Sequence, residues 1–297
     1  LFFLKKKKYK IYYPNSKILN LENIASAKKF LKKNKKGIDI IIHSAVYYGG
    51  IGTNKKYPAD LILKNNLMTN TVYYLAKELN VKKIISVGSA CAWPGDKIGN
   101  LHEKDVFNGR PHDSVEAYGF NKRVHLVFNK AYSKQYGIKS NQLALANLYG
   151  ENDVFTEERS HVISSFIKKV YDAKYKNSTI VAWGTGKPIR QFIHVDDAAK
   201  IIVKSINFKS DLSPINVYGE EISIKNLLKL ICEIYKFDMK DKIIWNKKMP
   251  DGVTRKVLAK GKLKKILPNY KLISFKKGLK TTIDWYIKNY EFANKRK

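Results

Sequence analysis

Two hydrophobic periodicities alternate along the first half of the chain. Ile38 to His43, I-D-I-I-I-H, and Lys82 to Val87, K-K-I-I-S-V, are short, nearly continuous β-branched runs. That is the pattern of strands buried on both faces. A third such run lies near Asn141 to Leu145. Between them, Leu21 to Asn34, Pro58 to Leu79 and Val115 to Tyr136 carry apolar residues at helical spacing. Pro58 suits the first turn of its helix, and Gly137 closes the third helix. Ile11 to Tyr13 predicts one further short strand. Strands alternating with helices of this length predict parallel βαβ units in a doubly wound α/β sheet.

After Gly150 the elements shorten. The pattern predicts a helix from His161 to Ala173, a strand Thr179 to Trp183, a turn at G-T-G-K-P, a strand Gln191 to His194 and a return helix Val195 to Ile206. From Glu221 onward come a helix, a strand Ile243 to Trp245, the loop P-D-G-V-T-R-K and a final helix Lys276 to Asn289. Residues 1–150, completed by about 190–220, are expected to form one lobe. Residues 151–189 and 221–297 are expected to form a smaller one. No repeat or long linker separates them.

The formal charge of +32 resembles a nucleic-acid footprint, but only six of the 57 basic residues are Arg and the rest are Lys scattered along the chain. Lys is a solvated point charge, whereas bidentate phosphate and guanine contacts favour Arg. No nucleic-acid partner is expected. No apolar run approaches the roughly 18 residues of a membrane span. Cys91 and Cys232 are too few for a disulfide framework and do not make a metal-ligand spacing, so no metal and a cytoplasmic setting are expected.

Candidate chemistry gathers between Gly88 and Lys122. Ser89 and Cys91 follow the second buried run, where open α/β sheets bind ligands. Tyr118 and Lys122 stand four apart on a helix and project from one face. An ammonium beside the phenol is expected to lower the Tyr118 pKa and make it a usable acid or base. Ser89 can hold a substrate oxygen while the proton moves.

This strand, Ser and Tyr-x-x-x-Lys arrangement resembles the short-chain dehydrogenase/reductase superfamily in its extended, sugar-nucleotide-modifying branch. Together with G-S-A-C-A-W-P, A-N-L-Y-G, S-H-V-I, W-G-T-G-K-P-I-R-Q-F-I-H-V-D-D and P-D-G-V-T-R-K, it is similar in order and spacing to the GDP-L-fucose synthase family from about residue 11 to 290. The resemblance implies a Rossmann-like fold with a C-terminal substrate lobe. It implies 3,5-epimerisation and NADPH-dependent 4-reduction of GDP-4-keto-6-deoxy-D-mannose, and a homodimer paired through the two long helices. An NAD-dependent C4 epimerase and an inactive binding protein are the alternatives. Cys91 and His161 would exchange the protons at C3 and C5, which the C4 ketone acidifies. Tyr118 would then protonate the C4 oxygen, assisted by Ser89 and Lys122. Val87, Gly88, Ser89, Ala90, Lys122, Leu145, Ala146, Asn147, Leu148 and His161 would line the cofactor. Lys169, Trp183, Arg190, Lys242, Asp251 and Lys256 would hold the nucleotide sugar, with Lys169 and Lys242 standing where Arg is common.

One departure stands out. No G-x-x-G-x-x-G precedes Ile11, and the early glycines Gly37, Gly49, Gly50 and Gly52 are in the wrong places for a pyrophosphate turn. The expectation is that a first strand, Gly-loop and helix lie upstream of Leu1. Lys17 is the one candidate near the position of a 2′-phosphate contact.

Overall fold

The computed structural model describes residues 1–7, 9–34, 37–97, 99–157, 159–238, 242–249 and 251–295. Strands and helices alternate first as α1 (Ile24–Lys33), β1 (Ile40–His43), α2 (Pro58–Glu78), β2 (Lys83–Ser89), α3 (Glu116–Tyr136) and β3 (Lys139–Leu145). Then come β4 (Asn147–Tyr149), α4 (Val162–Lys176), β5 (Ile180–Trp183), β6 (Ile189–His194), α5 (Val195–Lys204), β7 (Ile215–Val217) and β8 (Glu220–Ser223). The last are α6 (Ile224–Tyr235), β9 (Ile243–Asn246), β10 (Arg255–Leu258) and α7 (Phe275–Lys288).

Local chemistry sets the boundaries. The Asn23 side chain accepts from the Ala25 amide at 2.8 Å and caps α1. Pro58 opens α2. Gly137 ends α3 at φ +67°, a left-handed conformation that glycine adopts without a Cβ penalty. Strands β1, β2, β3 and β7 form a parallel sheet in that order. Ile84, Ile85, Leu143 and Ala144 are buried within it, as continuous β-branched and apolar runs require. Its β2–β3 register runs from Lys83 opposite Lys139 to Ser89 opposite Leu145, so both strands end together. Among the described residues nothing pairs with the outer edge of β1.

A second sheet is built from the two-residue strand Asn100–Leu101, β10, β6 and β4, with β8 antiparallel to β6. Strands β5 and β9 make a separate parallel pair. Two of the apolar cores are large. One contains Ile85, Leu143, Ile201 and Val217 under the parallel sheet. The other joins α4, α6 and α7 through Ile167, Leu227, Ile231, Leu279 and Tyr286.

Three expectations are corrected. Ile11 to Tyr13 forms no strand, because no strand among the described residues pairs with it and Tyr12 and Tyr13 remain exposed. Arg255 and Lys256 are not loop residues but open β10, where they pair with Ile189 and Arg190. Pro250 of the same motif lies outside the described residues. The third is the loop expected at Gly49, Gly50 and Gly52, before Pro58, which contains a short helix at Ile51–Lys56.

Candidate active site at the carboxyl ends of the central strands

Strand β2 delivers Ser89 as its last residue, and the turn Ala90–Ala92 follows at once. The Ser89 hydroxyl accepts from the Cys91 amide at 3.2 Å, which fixes the turn. Helix α3 packs directly on it: a Cβ at Gly119 would lie 2.4 Å from the Cys91 carbonyl oxygen. Only glycine therefore lets the helix bring the Tyr118 phenol close enough to feel the Ser89 hydroxyl. Lys122, one turn further on and 3% exposed, places Nζ 5.3 Å from the Tyr118 ring centre and donates to the Val87 carbonyl at 3.2 Å. Gln142 of β3 donates to the Lys122 carbonyl at 2.8 Å.

The electrostatics differ from the sequence expectation. Burial pushes the Tyr118 pKa up, Cys91 and Tyr48 add to the rise, and Ser89 opposes it. The phenol is therefore held protonated rather than primed as a phenolate. Desolvation outweighs the nearby ammonium, whose own pKa burial pulls down to about 8 against the effect of Cys91. A neutral Tyr118 is the form that donates a proton.

Two further elements close on Cys91. From β10, Lys256 points Nζ at the Cys91 sulfur, 3.6 Å away. Arg190 of β6 is electrostatically coupled to the same thiol. His161 stands at the N-cap of α4, yet its side chain makes no capping bond. Instead its ring stacks on Tyr48, with centroids 5.7 Å apart and planes within 12°. Ser89, Cys91, Tyr118, Lys122 and Lys256 thus meet in one place, and Tyr48 links His161 to it.

The remaining candidates are less gathered. Trp183, at the end of β5, is 51% exposed and presents a flat apolar face. Arg190 donates to the backbone carbonyls of Ile189 at 2.9 Å, Val253 at 2.5 Å and Asp251 at 3.2 Å, and burial lowers its pKa. Lys169 donates to the Val181 carbonyl at 2.8 Å. Burial lowers its pKa too, against a raising effect from Glu157.

Asp251 is engaged elsewhere: its two oxygens accept from the Thr185 amide and hydroxyl, each at 2.7 Å. Those bonds hold its pKa down and fold the Gly184 to Gly186 turn beneath it. Lys242 bonds Asn177 at 2.7 Å, just before β9. The β5–β9 register puts it at the far end of that pair from Trp183, so the structure does not bring Lys242 to the site. Asn147 and Leu148 are exposed, the former donating to the Gln191 carbonyl at 2.8 Å, while Leu145 and Ala146 are buried at the end of β3.

Arg123 escaped sequence reading. It is buried, and it donates to the carbonyls of Ala92 at 2.6 Å and Gly109 at 2.7 Å, so it ties the Cys91 turn to α3. Its rarity was the available signal, since it is one of six Arg in a Lys-rich chain. Among the described residues, no cluster of three or more His, Cys, Asp or Glu is placed to hold a metal. No helix among them is long and apolar enough to cross a membrane.

Comparison with known proteins places these features in a family context. Residues 4–218 match the NAD dependent epimerase/dehydratase family. A GDP-L-fucose synthase of Dictyostelium discoideum is 36% identical over 258 residues, covering 86% of this chain and 80% of that protein. The GDP-L-fucose synthase of Escherichia coli K12 is 31% identical over 284 residues, covering 92% and 87%. The crystal structure of a GDP-L-fucose synthetase from Naegleria fowleri bound to NADP superposes with a TM-score of 0.87 at 25% identity, covering 98% of this chain and 89% of that one.

Proposed function

The chain belongs to the NAD dependent epimerase/dehydratase family and, within it, to the GDP-L-fucose synthases, and on that premise we propose that it converts GDP-4-keto-6-deoxy-D-mannose to GDP-L-fucose with NADPH. The observation that carries this reading is the convergence of two acid/base sets at one strand end. Ser89, Tyr118 and Lys122 serve a ketone, and Cys91 with Lys256 at 3.6 Å serves the carbons beside it.

Carbons 3 and 5 flank the ketone, so enolate formation acidifies their protons. Cys91 takes a proton from one face and His161 delivers one to the other. The Lys256 ammonium supplies positive charge where the sulfur carries negative charge before that transfer. A nicotinamide, when bound there, would supply the hydride for C4. Tyr118 gives its proton to the C4 oxygen, with Ser89 holding that oxygen and Lys122 as the cation beside the resulting phenolate.

Lys122 under the crevice, Val87, Gly88, Ser89 and Ala90 at the end of β2, and Leu145 and Ala146 at the end of β3 fit the nicotinamide end of such a cofactor. In the smaller lobe, read as 151–189 and 221–297, Trp183 would face the guanine and Lys169 the diphosphate, with Arg190, just beyond residue 189, as a second cation for it. A homodimer is supported by exposed Ile62, Leu63 and Leu67 on α2 and Phe120 and Val127 on α3. A cytoplasmic setting follows from the soluble nucleotide substrates.

The test is incubation with GDP-4-keto-6-deoxy-D-mannose and NADPH. Loss of nicotinamide absorbance with formation of GDP-L-fucose supports the reading. No loss of nicotinamide absorbance would reject the reductase reading and favour a C4 epimerase, which keeps its cofactor bound and consumes no net hydride.

A further inference from the structure

Tyr48 belongs to no part of the Ser-Tyr-Lys set, yet it is half-buried in a loop whose backbone is held on both sides of it. On its N-terminal side, buried Asn65 of α2 brackets Tyr47. Its Oδ1 accepts from the Tyr47 amide at 2.9 Å, and its Nδ2 donates to the Tyr47 carbonyl at 2.8 Å. On its C-terminal side, Asn54 donates to the carbonyls of Gly49 at 3.1 Å and Gly50 at 3.0 Å. Two asparagines thus clamp the backbone on both sides of one tyrosine. A free loop would gain nothing from that ordering, which costs conformational entropy.

What the clamps present is the ring. It lies nearly parallel to the His161 imidazole, with Arg159 5.8 Å from its centre, and its phenol is electrostatically felt by Tyr118. His161 lacks the capping bond that would otherwise fix a histidine at a helix start. The stack on Tyr48 orients its plane.

We propose that Tyr48 is a positioning residue for proton exchange at the sugar carbons, clamped by Asn65 and Asn54 so that its ring holds the His161 imidazole in its working orientation. The proposal rests on the reading of His161 as a proton-transfer group in a GDP-sugar 3,5-epimerase/4-reductase. It makes the ring, not the hydroxyl, the functional part. A small error in the orientation of a catalytic group costs roughly ten- to a hundredfold in rate.

Two variants and two readouts test it. In D₂O with GDP-4-keto-6-deoxy-D-mannose, Tyr48→Leu is expected to slow deuterium entry at C3 and C5 about tenfold or more. Tyr48→Phe, which keeps the stack, is expected to restore at least half of the wild-type rate. Exchange unchanged in Tyr48→Leu, or lost equally in Tyr48→Phe, would overturn the proposal. The second readout needs no turnover. In histidine-labelled protein, the His161 ring resonance, assigned by its loss in His161→Asn, should be shifted upfield in wild type and Tyr48→Phe and relax downfield in Tyr48→Leu. A wild-type protein inert toward the sugar but showing this pattern would reject the functional reading while preserving the stack. An unshifted His161 resonance in wild type would reject the stack itself.

Discussion

The two halves of the crevice are built in opposite ways. Around Tyr118 the polar groups hold one another in place: Ser89 binds the Cys91 turn, Lys122 binds Val87, Gln142 binds Lys122, and Arg123 binds Ala92 and Gly109. Across the crevice, the cations assigned to the diphosphate hold the protein's own carbonyls instead, Arg190 on Ile189, Val253 and Asp251, and Lys169 on Val181. The first half is preorganised for a developing charge, which costs no rearrangement at the moment of reaction. The second half must exchange partners to grip a ligand, so part of its binding energy goes into breaking those bonds.

The largest expected effect lies in the rigid half. Tyr118→Phe should lower the rate of ketone reduction by about 10²- to 10⁴-fold, the contribution of a positioned acid, while NADPH binding measured by fluorescence stays near wild type. Substantial turnover in this variant would remove Tyr118 as the proton donor. Arg190→Lys addresses the adaptable half. It keeps the charge but loses the planar fork, so KM for the sugar nucleotide should rise about tenfold with kcat little changed. A fall in kcat at constant KM would place Arg190 in the chemistry instead.

The comparison also has a pH signature. Lys122, with its pKa lowered to about 8 by burial, is charged below that value and neutral above it in the free enzyme. kcat/KM for reduction should therefore fall as pH rises past about 8, and a profile flat to pH 9 would show that the charge of Lys122 is not needed. Smallest of all should be Lys242→Ala, because that lysine is tied to Asn177 away from Trp183. A change in KM beyond about twofold would return Lys242 to the substrate site.

The rigid half was the more legible in sequence. Buried β-branched runs announce β1, β2 and β3, and Ser89, Tyr118 and Lys122 are local to the end of one strand and the start of one helix. What stayed hidden depends on side chains reaching backbone far along the chain, as Arg190 does to Val253 and Asn147 to Gln191. Such bonds leave no periodic trace. Asp251 was read as a substrate contact because nothing in P-D-G-V-T-R-K announces that Thr185 claims both of its oxygens. The direction of the Tyr118 pKa was misjudged for a related reason: the spacing reveals the neighbouring cation but not the burial that outweighs it. Ile11 to Tyr13 has strand propensity but, among the described residues, no strand beside it to pair with.

The central claim is that two separable proton-transfer sets share one crevice. The most direct measurement is deuterium exchange at C3 and C5 of GDP-4-keto-6-deoxy-D-mannose in D₂O, followed by NMR, for Tyr118→Phe beside Cys91→Ser. The account predicts that Tyr118→Phe exchanges these positions without reducing the ketone, and that Cys91→Ser loses exchange far more than it loses reduction of an already epimerised sugar. Exchange abolished by Tyr118→Phe and untouched by Cys91→Ser would contradict it.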